Sequence, residues 1–151
     1  MGTGHIGLRV IKMAIGFSMK VLAFDPAPNS FLSEILGFKY VDFETLLKES
    51  DIISLHAPDN KKTHHMINEN NIGIIKKGAI LINTARGGLV DTIALTKALD
   101  SGILSGAGLD VLEAEEIILE ERHLLMRKKK DFYNPEKLQL SLRNAFLLQR
   151  E

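Results

Sequence analysis

Apolar positions along this chain switch repeatedly between helical and strand-like spacing. Ile6, Val10, Ile11, Ala14 and Ile15 recur at helical intervals and predict a helix that starts inside a glycine-rich loop and runs to about Gly16. Lys20 to Phe24 is a short β-type run stopped by Asp25-Pro26. Asn29 to Leu36 reads as a short helix ended by Gly37, and Phe38 to Val41 as a short strand. Asp42 is a natural N-cap for a helix carrying Phe43, Leu46 and Leu47. Asp51 to His56 is a strand, with Ala57-Pro58-Asp59-Asn60 as its turn. A helix is expected near Asn68 to Ile75, broken by Lys77-Gly78. Ala79 to Asn83 is nearly all apolar, as in a strand buried on both faces. Asp91 to Asp100 predicts a helix, with Gly102 near its end, and Ser105 to Val111 a strand. The remainder changes character. Glu115 to Lys130 is acidic first and basic last, the order that suits a helix macrodipole, and Asn134-Pro135 can open another helix through about Gln149.

Alternating strands and helices argue for an α/β fold with a mostly parallel sheet. The start of the chain narrows this. Gly2-Thr3-Gly4-His5-Ile6-Gly7 is the glycine fingerprint of a dinucleotide-binding βαβ unit, and Asp25 follows a β-run at the expected distance of about twenty residues. The expected architecture is a Rossmann-type, doubly wound parallel sheet with C-terminal helices. Only Met1 precedes Gly2, so the strand that feeds such a loop is expected to be missing. Its place is between the strands ending at Asp25 and His56. Unpaired inner edges then lead us to expect marginal stability.

Composition changes the picture mainly by exclusion. The 151 residues suit one domain, 1–151. Lys plus Arg and Asp plus Glu both number 19, so no bulk field favours nucleic acid or an anionic membrane. No cysteine is present, which excludes disulfides and thiolate metal sites. No apolar run is long enough for a bilayer and no secretion signal opens the chain, so a soluble, cytoplasmic protein is expected.

Ligands of doubly wound sheets bind outside the carboxyl ends of the strands. Gly2 and Gly4 permit a tight turn and close approach of backbone amides to a pyrophosphate, while Gly7 lets the helix pack on the sheet. The phosphates then face a helix N-terminus, where free N–H groups favour anions. Asp25 can accept hydrogen bonds from a ribose diol and would repel a 2′-phosphate. No Arg or Lys follows in Pro26-Ala27-Pro28-Asn29, so NAD is favoured over NADP. Thr84-Ala85-Arg86-Gly87-Gly88 leaves the apolar strand, and Arg86 is shaped to grip a carboxylate through two hydrogen bonds, unless it serves an ordinary surface salt bridge. Asp110, Glu113 and Glu115 follow the last strand.

The histidines divide by position. His5, in the glycine loop, is suited to backbone contact with a cofactor rather than acid–base work. His56, ending a strand, reads as a packed histidine with one hydrogen bond. His64-His65 suggests a metal only weakly, because adjacent side chains are expected to diverge and no acidic partner is evident. No metal is expected. His123 and the run Arg127 to Lys130 fit a solvated charged helix.

These pieces together resemble the NAD-dependent D-isomer-specific 2-hydroxyacid dehydrogenases. The resemblance is carried by GTGHIG, by FDP after the second strand, by SDIISLHAPDNKKTHHMIN and by KKGAILINTARGGLVDTIALTKALDSGILSGAGLDVLE. The long stretch after DVLE is similar to the D-lactate dehydrogenase branch. The resemblance implies cofactor contacts at Gly4, His5, Ile6 and Gly7, at Asp25, at Ala57 and Pro58, at Thr84, Ala85 and Arg86, and at Asp110, with Thr63 a looser candidate. It implies that Arg86 binds the carboxylate and carbonyl of a 2-keto acid. It implies too that Glu115 hydrogen-bonds a catalytic histidine, raising its pKa and holding its orientation. NADH would give a hydride to the keto carbon while that histidine protonates the oxygen. The family's Pro-His element is not met before Gln149-Arg150-Glu151, and the substrate domain is not represented, so the 151-residue chain alone is expected to be inactive. Relatives are commonly dimers, which makes a homodimer one expectation. A non-catalytic NAD-binding module of the corepressor type resembles the same family and stays open as an alternative.

Overall fold

The computed structural model of the chain describes residues 1–111. The expected helices Glu115 to Lys130 and 134–149, and the residues Glu113 and Glu115, lie outside them. Helices α1 (His5–Gly16), α2 (Ser30–Leu36), α3 (Phe43–Glu49) and α4 (Thr92–Asp100) alternate with strands β1 (Leu22–Ala23), β2 (Lys39–Tyr40), β3 (Ile52–Leu55), β4 (Ala79–Asn83) and β5 (Leu104–Leu109). All pairing between the strands is parallel, in two sheets ordered β1-β2 and β3-β4-β5.

Between the two sheets lie Met1 and Gly2. The Met1 amino group donates to the Ser54 carbonyl at 2.7 Å, and His56 N–H donates back to the Met1 carbonyl at 2.8 Å. Gly2 N–H then donates to the Phe24 carbonyl at 2.9 Å. The start of the chain therefore ladders with the exits of β1 and β3, in the place expected for the strand that feeds the glycine loop.

Local chemistry ends the helices where the sequence suggests. The Asn29 side chain accepts from Leu32 N–H, and Gly37 closes α2 with φ of 75°, a left-handed conformation suited to glycine. Asp42 caps α3 by accepting from Thr45 N–H, and Asp91 caps α4 through Ile93 N–H and Ala94 N–H. The larger core packs Ile53, Leu55, Leu81 and Leu104 of the sheet against Leu46, Leu47, Ala94, Leu95 and Ala98 of α3 and α4. A smaller one joins Ile11 of α1 to Ala23 and Phe38.

Two expectations need correction. Of the helix expected near Asn68 to Ile75, only a 3-10 turn at Ile72–Ile74 forms. The asparagines compete for the backbone: Asn68 Oδ1 accepts from Asn70 N–H at 2.9 Å, Asn71 Oδ1 accepts from Asn68 N–H at 2.9 Å, and Asn71 Nδ2 donates to the Met66 carbonyl at 2.9 Å. In β4, Ala79, Leu81 and Asn83 are buried but Ile80 and Ile82 only half-buried, because Ala79 and Leu81 enter the larger core while the described residues cover the alternate face incompletely. No helix among the described residues is long and apolar enough to cross a membrane.

Candidate nucleotide-binding site

The glycine loop is tight for steric reasons. Gly2 has φ of 86°, and a Cβ there would stand 2.7 Å from the His56 carbonyl oxygen and 3.2 Å from Ala57 N. A Cβ on Gly7 would collide with the Gly2 carbonyl oxygen. Gly4 differs: nothing lies within 4 Å of its Cβ position, so the space beside it is open to a ligand. Gly4 is also the N-cap of α1, with no side-chain cap and no acidic residue in the first turn. The helix thus presents uncapped amides without a carboxylate to repel an anion. His5 is exposed, and Ile6 is 66% exposed, an apolar side chain left at the mouth of the site.

Asp25 leaves β1 and turns back onto this loop. Its Oδ2 accepts from Thr3 N–H at 2.7 Å and from the Thr3 hydroxyl at 2.9 Å, while Oδ1 accepts from Ala27 N–H at 2.9 Å. Partial burial opposes ionisation. The hydrogen bonds from Thr3 and Ala27, with the nearby Met1 ammonium, outweigh it and hold the carboxyl below its usual range. Three of about four acceptor positions on the carboxylate are filled, which leaves a direction on Oδ1 for a ribose hydroxyl.

At the exit of β3, His56 Nε2 shares a 2.9 Å hydrogen bond with the Ser54 hydroxyl. Burial, and then the Met1 ammonium, lower its pKa and favour neutral imidazole. The Met1 ammonium is itself lowered to about 6, by burial, against the attraction of Asp25. Ala57 and Pro58 continue from His56, and the Thr63 hydroxyl closes their loop by donating to the Pro58 carbonyl at 2.5 Å.

Asn83 organises the exit of β4. It is 1% exposed; its Nδ2 donates to the Arg86 carbonyl at 2.8 Å and its Oδ1 accepts from Ala85 N–H at 3.1 Å. Its own carbonyl accepts from Asp110 N–H at 3.0 Å. One buried residue therefore joins Ala85 and Arg86 through its side chain and Asp110 through its backbone carbonyl. Thr84, Arg86 and Asp110 are exposed, and Arg86 Nη1 donates to the Ala85 carbonyl at 2.6 Å.

The structure thus brings Gly2, Gly4, Gly7, Asp25 and Ala57 together through the first loop, and Ala85, Arg86 and Asp110 through Asn83. Parallel pairing of β3, β4 and β5 puts His56-Ala57-Pro58, Thr84-Ala85-Arg86 and Asp110 at one end of their sheet. Sequence reasoning missed Thr3, Tyr40 and Asn83. Asn83 carried a signal, as the one polar residue closing an apolar strand. Two expectations about His64-His65, diverging side chains and no acidic partner, are overturned. The rings of His64 and His65 stack with centroids 4.1 Å apart, helped by φ of 49° at His65, and His64 Nδ1 lies 3.4 Å from Asp59 Oδ1.

The family profile described as "D-isomer specific 2-hydroxyacid dehydrogenase, NAD binding domain" matches residues 1–135. A glyoxylate reductase of Thermococcus litoralis is 52% identical over 121 residues, covering 80% of this chain and 37% of that protein. A D-lactate dehydrogenase of Curvularia clavata is 43% identical over 123 residues, covering 82% and 35%. Among solved structures, D-lactate dehydrogenase from Aquifex aeolicus, complexed with NAD and lactic acid, superposes with a TM-score of 0.75 at 46% identity, covering 93% of this chain and 41% of that one. The chain spans little more than a third of the length of the curated relatives it matches.

Proposed function

Because the chain belongs to the NAD-dependent D-isomer-specific 2-hydroxyacid dehydrogenases, we propose that residues 1–151 are the NAD-binding domain of an enzyme that reduces a short 2-keto acid. Relatives named glyoxylate reductase and D-lactate dehydrogenase support a small substrate, and pyruvate is the first choice. When bound, NADH supplies the hydride.

The chain's own residues bind and orient. Gly2, Gly4 and Gly7, with the first amides of α1 at His5 and Ile6, hold the pyrophosphate. Asp25 takes the ribose diol, and its negative charge disfavours a 2′-phosphate. Ala57, Pro58, Thr84, Ala85 and Asp110 line the cofactor edge. Arg86 grips the keto-acid carboxylate, and Glu115 orients the histidine that delivers the proton. None of the five histidines in the sequence follows a proline, so this polypeptide alone turns over no keto acid.

The observation that carries this reading is the tie between glycine loop and acid, Thr3 N–H to Asp25 Oδ2 at 2.7 Å. It brings the phosphate-binding amides and the ribose acceptor into one unit. NADH fluorescence titration tests it. Binding should saturate in the parent chain and weaken at least about tenfold in Asp25→Ala, since a hydrogen bond to a charged group contributes about 1.5–3 kcal/mol. A parent chain that binds no NADH would overturn the assignment of this site. Turnover of pyruvate by the 151-residue chain would overturn its inactivity.

A further inference from the structure

We propose that Tyr40 and Thr3 are positioning residues, a hydroxyl relay that locks the Asp25 carboxylate in one orientation and so sharpens preference for NADH over NADPH. The selectivity half rests on the function proposed above.

The relay joins three segments far apart in sequence. Tyr40, at the end of β2, donates its phenolic proton to Thr3 Oγ1 at 2.9 Å. A hydroxyl that accepts there has its own proton free to donate, and Thr3 donates it to Asp25 Oδ2 at 2.9 Å. The Thr3 amide reaches the same oxygen at 2.7 Å. Oδ2 is thus bonded twice and Oδ1 once, by Ala27 N–H at 2.9 Å, so rotating the carboxylate breaks three hydrogen bonds. Tyr40 is itself held: its ring meets Phe38 edge-on at 5.0 Å and packs on the small core of Ile11, Ala23 and Phe38. The direction of the relay therefore comes from a rigid phenol on the sheet and ends on the acid that discriminates the cofactor.

A carboxylate that cannot turn away presents its charge to a 2′-phosphate. One released from Thr3 can turn, which weakens its grip on a diol and relieves the repulsion. A staple that merely tied β2 to the glycine loop would affect melting but neither the Asp25 titration nor the ratio of nucleotide affinities. The Met1 ammonium also acts on Asp25, and Tyr40→Phe leaves it in place.

The test follows Asp25 by carboxyl-carbon NMR titration in the 151-residue chain, alongside fluorescence titrations with NADH and NADPH. Tyr40→Phe keeps the packed ring and removes only the hydroxyl. It should raise the Asp25 titration midpoint and reduce the NADH-to-NADPH affinity ratio by about threefold to tenfold, the effect of one net hydrogen bond. Thr3→Val should do the same, and Thr3→Ser should restore both readouts. An Asp25 titration and an affinity ratio unchanged in Tyr40→Phe would overturn the proposal. If the parent chain binds neither nucleotide, the function reading falls by itself. The Asp25 titration then still decides the relay, a raised midpoint in Tyr40→Phe supporting it and an unmoved one overturning it.

Discussion

Replacing Asn83 by alanine should destabilise the chain by about 2–3 kcal/mol and loosen the loop that carries Arg86. Two of its hydrogen bonds are well formed, Nδ2 to the Arg86 carbonyl at 2.8 Å and Ala85 N–H to Oδ1 at 3.1 Å. A third, from Arg86 N–H at 3.4 Å, is long and adds little. Each good bond contributes about 1 kcal/mol net, with a further penalty where the orphaned partner stays dry. Asn83 is 1% exposed, but Ala85 is half-buried and Arg86 exposed, so water reaches part of what truncation uncovers and the penalty is only partial. Urea unfolding gives the stability, and hydrogen exchange at the Ala85 and Arg86 amides gives the loop. Both amides should exchange faster in Asn83→Ala. Asn83→Asp keeps the acceptors but loses the donor and buries a charge, so it should be worse than alanine. A loss below about 0.5 kcal/mol with unchanged exchange would show that the loop holds itself and refute the argument.

Two further predictions concern the loop glycines and pH. Gly7→Ala should destabilise strongly and abolish NADH binding, because its Cβ meets backbone, the Gly2 carbonyl, which cannot move aside cheaply. Gly16→Ala, in open space at the end of α1, should instead raise stability by about 0.5–1 kcal/mol; equal melting changes in the two variants would contradict this. Stability should rise with pH, because the folded-state pKa values of Asp25 and His56 both lie below their ordinary values and the unfolded chain therefore binds more protons. The His56 contribution is complete above 6.5 and lost as pH falls through the folded value; that of Asp25 is present above 3.8 and lost further into acid. The Met1 ammonium adds the same sign between 8.0 and about 6. In urea midpoints across this range, His56→Gln should flatten the profile just below 6.5 and Asp25→Asn the acid limb, and profiles identical to the parent's would refute the assignment.

Where one short stretch of chain contains both the cause and the effect, the sequence was sufficient. Asn29, Asp42 and Asp91 each bond an amide two or three residues ahead, so their caps are written locally. The glycine loop is legible in the same way, since its spacing reflects a turn and a helix start a few residues long. The helix expected near Asn68 failed at the same scale, because the side chains of Asn68 and Asn71 compete with the helical ladder and apolar periodicity does not register that competition.

The sequence by itself determined the parallel α/β alternation, the family, and the pairing of a glycine loop with an acid at the next strand exit. Only the tertiary structure decided that Thr3 carries two of that acid's three hydrogen bonds, that Tyr40 feeds one of them from another strand, and that Asn83 clamps the arginine loop. It also decided that the His64 and His65 rings stack and that Asp59 approaches one of them. The physical reason is directional. Burial and capping follow from residue type at a fixed spacing, whereas a hydrogen bond across 22 or 37 residues depends on where two strand ends and their side-chain torsions finally point.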